Sequence, residues 1–97
     1  MSPKEALEKA RESIRERVVD EYNRVTLHIV DFLKHDPTVE SVTVLTWAKS
    51  MIASGVAEKL VADGYDVTYK PSIWTNDRFI ISGWHKAPAA KSTPYRD

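Results

Sequence analysis

Hydrophobic positions change their period twice along this chain, and each change marks an element. Leu7, Ile14, Val18, Tyr22, Val25, Ile29 and Phe32 recur at steps of three, four or seven, which draws one stripe along one helix. The helix starts well. Ser2 can accept from the Glu5 amide, Glu5 can reach back to the Ser2 amide, and Pro3 has the φ that a first helical position needs. It runs to about His35, because Asp36 precedes Pro37 and is pushed out of the α region. Residues 18–33 are apolar enough for a buried helix. Residues 4–17 are mostly Lys, Glu and Arg, with Leu7 and Ile14 on one side and Glu5 set four residues before Lys9. The first turns, residues 1–17, therefore read as a charged helix start projecting beyond the domain.

The period then shortens. Val42-Thr43-Val44-Leu45-Thr46 is a β-branched run that suits a pleated surface. Thr46 is placed to cap a second helix from Trp47 to Asp63, with Ile52, Val56 and Leu60 as its buried stripe and Gly64 as its stop. Gly55, in the middle of that helix, calls for close packing against the sheet or another helix. A rival reading keeps one helix from Thr38 to Asp63, since Val42, Leu45, Ile52 and Val56 also fit a helical period. Further on, Tyr65, Val67 and Tyr69 alternate with Asp66, Thr68 and Lys70, a second strand. After a hairpin loop from Pro71 to Asp77 comes a third, Arg78 to Trp84, with Phe79 and Ile81 on one face and Ile80 and Trp84 on the other. A strand apolar on both faces sits in the middle of a covered sheet. This predicts strand order 1-3-2, antiparallel throughout, with the second helix as crossover. The fold class is α+β: a long N-terminal helix followed by a β-α-β-β unit in a single domain over residues 1–84. Residues 85–97, with two prolines and no period, read as a flexible tail. The core is expected to rest on Ile52, Val56, Leu60, Val67 and Ile81.

Leu60, Gly64, Tyr65, Val67, Tyr69, Ile81, Ser82 and Trp84 carry a resemblance. The pattern is similar to small phage-encoded accessory proteins whose second half is a strand, a helix ending Leu-x-x-x-Gly-Tyr-x-Val-x-Tyr, and a last strand ending Ile-Ser-Trp. The resemblance covers residues 25–84. Proteins of this look mostly lack an assigned activity, so the resemblance bears on packing; the expectation for function is a non-enzymatic binding protein of phage origin that works by contact with a host or phage protein, in the host cytoplasm. Here Gly83 stands between Ser82 and Trp84, which moves the tryptophan to the opposite face or creates a bulge.

Composition narrows the chemistry. Lys and Arg number 14, as do Asp and Glu, so the formal net charge is zero, and neither nucleic acid nor an anionic membrane is expected as a partner. There is no cysteine, which excludes disulfides, thiolate metal sites and cysteine nucleophiles. No apolar run approaches the ~20 residues of a membrane helix, and the charged N-terminus does not look like a signal peptide, so a cytoplasmic protein is expected. His28, Asp31 and His35 share one side of the first helix, where a polar surface accounts for them better than a metal site. Asp20, Glu21 and Asp31 as acids or bases, and Ser50, Ser54 and Ser82 as nucleophiles, fall in no catalytic motif. No catalytic residue, metal or cofactor is therefore assigned.

Ile73 and Trp74 stand out, because no rule of turn formation asks for large apolar residues in a hairpin loop. They read either as a contact surface or as a cap folded back on the core. With Tyr69, Lys70 and Arg78 they form the candidate binding patch, a contact surface for a protein partner or a mixed aromatic and basic patch that stacks on a base or nucleotide. A small-ligand or nucleotide-sequestering role, or a place in a virion, are the alternatives. Leu7, Ile14 and Val18 are the candidates for homo-oligomerisation, because the helix stripe extends past what one small sheet can cover. Trp47, at the strand-to-helix junction, is expected in the core.

Overall fold

The computed structural model describes residues 1–85; the expected C-terminal tail lies outside them but for His85. The element order is α1 (Pro3–His35), β1 (Ser41–Thr46), α2 (Ser50–Ala62), β2 (Asp66–Lys70) and β3 (Asp77–Ser82). The sheet has the order β1-β3-β2, with β3 antiparallel to both neighbours. The presence of β1 rules out the single helix from Thr38 to Asp63.

α1 begins in a full capping box, with the Glu5 amide donating to Ser2 Oγ at 3.2 Å and the Ser2 amide donating to Glu5 Oε1 at 2.8 Å. It ends at Asp36, whose side chain turns to accept from the Thr38 amide and hydroxyl. α2 ends as Gly64 prescribes. The glycine takes φ +105°, its amide bonds Val61 O at 3.0 Å, and the Tyr65 amide bonds Leu60 O at 3.1 Å. That pair of bonds is the Schellman arrangement. It accounts for the Leu-x-x-x-Gly-Tyr spacing, since Leu60 and Tyr65 are the positions whose side chains flank such a stop.

The beginning of α2 differs from expectation. The helix opens at Ser50 behind Lys49, with no side chain capping it. Thr46 sits too far ahead of Ser50 to cap it and closes a turn of its own: its hydroxyl accepts from the Ala48 amide and donates to Glu21 Oε2 at 2.5 Å. Trp47 is left in a short connection and is 76% exposed, not part of the core.

Both helices cover one face of the sheet. Val25 and Ile29 from α1, Ile52, Val56 and Leu60 from α2, Val42 and Val44 from β1, and Phe79 and Ile81 from β3 form the buried cluster. Val67, half-buried, packs against it. Gly55 lets α1 approach α2 closely at Val18. Two polar ties hold the helices in place. Tyr22 donates to the Asp63 carboxylate, with Lys59 Nζ over the Tyr22 ring. Arg24 pairs with Glu21 through two bonds and donates to Leu45 O at 2.8 Å.

The other face of the sheet is bare, which corrects the expectation that β3 is covered on both sides. Ser41, Thr43 and Leu45, then Asp66, Thr68 and Lys70, are exposed there. Ile80 is half-buried although no layer lies over it, because Thr43 and Thr68 flank it across the ladder. Nor does Trp84 share that face. Gly83 takes φ +115°, where a Cβ would stand 3.1 Å from the Asp66 amide. The turn sends Trp84 back against the core, its indole N–H donating to Val39 O at 2.8 Å.

Candidate functional site

The β2–β3 hairpin is built from its two ends. Alternation along β2 puts Tyr69 on the helix-covered face and Lys70 on the bare one. The Tyr69 ring packs tilted on Phe79 at 5.6 Å between centroids, and its hydroxyl donates to Asp77 Oδ2 at 2.6 Å. The other Asp77 oxygen accepts from the Ser72 amide at 2.8 Å. Ser72 Oγ in turn accepts from the amides of Trp74 at 3.2 Å and Thr75 at 3.0 Å. The bond to Asp77 holds the Tyr69 phenol above its usual pKa, and the phenol and Ser72 amide hold the Asp77 carboxyl below the usual carboxylate range.

This chain of bonds fixes the loop backbone from Ser72 to Thr75. The side chains it carries point away from it: Ile73 is 88% exposed and Trp74 is 89% exposed. They do not cap the core. The structure divides the rest of the candidate patch. Lys70 and Arg78 are cross-strand partners on the bare face at the base of the loop, whereas Tyr69 is half-buried on the opposite face and serves to tie the loop.

The oligomerisation candidates are divided too. Val18 is occupied within the chain, against Gly55. Ile14 is half-buried against the core, and Leu7, a further two turns out, is 51% exposed. α1 passes the end of β1 at Glu21 and Arg24, so residues 3–17 continue beyond the sheet at that end, all exposed but Ile14.

One feature that sequence reasoning missed is the setting of Trp47. It lines a shallow groove of about 530 Å³ with Arg17, Asp20, Glu21, Arg24, Lys49 and Ile52. Arg24 holds the Glu21 carboxyl below its usual range, and Glu21 raises Arg24 in return. The signal available was Ala48-Lys49, two residues that add no apolar position to the stripe that begins at Ile52. Along α1, His35 Nδ1 lies 2.9 Å from Asp31 O, a contact within the helix. Among the described residues no three His, Asp or Glu side chains are grouped to hold a metal ion. No helix among the described residues is long and apolar enough to cross a membrane.

Comparison with known proteins finds no counterpart: no family model, no curated protein and no solved structure matches the chain.

Proposed function

We propose that this chain is a non-enzymatic binding protein that acts by contact with another protein, a host or phage factor in the host cytoplasm. The observation that carries this reading is the hairpin tip. Large apolar side chains presented at 88% and 89% exposure on a loop tied by its own hydrogen bonds are what an interface anchor requires. Anchors are few, aromatic or aliphatic, and lose little conformational freedom on binding when the backbone is set in advance. The test is affinity capture with wild type and the I73S/W74S double variant in parallel, each checked by thermal melt. A specific partner retained by wild type and lost by a folded variant is the expected result. Equal retention by both would remove the hairpin from the interface.

A second reading rests on the Trp47 groove. An exposed indole beside Arg17 and Lys49 can stack on a base while the cations meet a phosphate, so a small-ligand or nucleotide-sequestering role follows if the groove is the working site. Isothermal titration with purine and pyrimidine nucleotides decides between them, since the hairpin reading expects no heat that W47A removes.

A further inference from the structure

The hairpin tip carries a charge pattern as well as an apolar pair. Lys70 and Arg78 face each other across the ladder at the base of the loop, both exposed on the bare face. Thr46 pairs with Asp77, so the connection that follows Thr46 brings exposed Lys49 to the same end of the sheet. From Gly64 to His85 the acidic residues are Asp66 and Asp77. Asp66 stands at the other end of β2, opposite Ser82. Asp77 turns both carboxylate oxygens inward, one to the Tyr69 hydroxyl and one to the Ser72 amide. Asp77 remains a carboxylate, and Glu21, bonded to Thr46 at the same end, is paired with Arg24; the hairpin from Lys70 to Arg78 thus carries two cations against one carboxylate, a small positive excess on a protein whose net charge is zero.

We propose that the tip enters an apolar pocket rimmed by carboxylates on the partner protein, with Ile73 and Trp74 filling the pocket and Lys70 and Arg78 meeting the rim. This rests on the hairpin being the contact surface and adds the chemistry of what it meets. Rim charges steer encounter and select partners, while the buried apolar pair sets how long the complex lasts. An anionic bilayer would also attract this combination. The tied loop argues for a pocket instead. A fluid interface accepts Trp and Ile from any loop conformation, whereas a shaped pocket rewards a backbone fixed before binding.

The probe is a displayed library of disulfide-cyclised peptides, selected on the immobilised full chain and counter-selected on I73S/W74S. The expected winners combine aromatic or aliphatic residues with Asp or Glu. Their affinity should fall at least tenfold with K70E/R78E, and with raised salt, while the variant melts like wild type. Winners that need Ile73 and Trp74 but carry no acidic bias, or that ignore K70E/R78E, overturn the carboxylate rim and leave the contact surface standing. Failure to enrich any peptide that distinguishes wild type from I73S/W74S overturns both. Co-sedimentation with phosphatidylserine-containing vesicles that I73S/W74S abolishes, with no peptide enriched, overturns the pocket in favour of a lipid surface.

Discussion

Val18 lies over Gly55 so closely that a Cβ on the glycine would stand 2.8 Å from Val18 Cγ2 and 3.3 Å from Cγ1. The neighbour is a β-branched side chain, stiff about χ1, so it cannot swing aside cheaply. Gly55→Ala should therefore destabilise the protein by about 1–3 kcal/mol through overpacking, against roughly 1 kcal/mol that alanine gains in helix propensity. In a Val18→Ala background the same change should be neutral or favourable. Urea melts of the four proteins in the cycle measure the coupling directly, and a cost unchanged by Val18→Ala would mean the helices do not meet there.

Leu60 is fully buried and also the residue whose carbonyl receives the Tyr65 amide at the end of α2. Leu60→Ala leaves that bond in place and removes the packing, so the expected cost is about 2–5 kcal/mol. A loss of that size approaches the whole stability of a small domain. A melting temperature within a few degrees of wild type would show that the cluster collapses around the vacancy.

Stability at alkaline pH should depend on Tyr22. Its hydrogen bond to Asp63, with burial second, pushes the phenol from its usual 10 up to about 12. A group raised in the folded state contributes fully below its unfolded pKa and stops contributing as pH rises through the folded one. The contribution is thus present at neutral pH and lost between 10 and about 12. Denaturation midpoints across that range should fall more steeply for wild type than for Tyr22→Phe. The acid side runs the other way: Arg24 lowers Glu21, so that tie is present above the usual carboxylate range and is lost as pH falls below it.

The I73S/W74S variant should fold as well as wild type. Both side chains are almost wholly in solvent, and surface changes away from caps and cores stay within about 0.5 kcal/mol. A clear drop in melting temperature would place the loop in the fold instead of at an interface.

Self-association, if it follows the α1 stripe, should depend on Leu7, which is exposed, and not on Val18, which is taken. Light scattering at high micromolar concentration should give more than the monomer mass, and Leu7→Glu or removal of residues 1–10 should return it to monomer. A strict monomer at the outset would leave the projecting turns without this role.

Much of this was legible because the decisive residues act locally. Ser2 with Glu5, Asp36 before Pro37, and Gly64 each fix a boundary through neighbours a few positions away. The order β1-β3-β2 followed from a strand more apolar than its companions. The errors came from side chains whose fate is set at a distance. Thr46 accepts from the Ala48 amide as a cap would, but it is fixed to Glu21, 25 residues earlier, and the helix starts only at Ser50. Trp47 then had no covered place to go. Trp84 faces the core because Gly83 reverses the chain and Val39 offers a carbonyl, neither of which strict alternation along a strand anticipates. At the hairpin, the sequence singled out Ile73 and Trp74 but could not tell display from burial. Asp77 and Ser72 decide that, through hydrogen bonds that no periodicity encodes.

α1 owes its two halves to different causes. From Val18 to Leu33 it is held by the same cluster that holds the sheet, so its amide hydrogens should exchange with solvent only when the whole protein opens. Residues 3–13 lie outside that cluster, with a capping box and spaced charges as their local support, and so short a helix is marginal in water on its own. Their amides should exchange orders of magnitude faster, in a gradient that steepens near Ile14. A partner that settles on this end of the molecule would announce itself by slowing exchange there while leaving the rest of the helix unchanged.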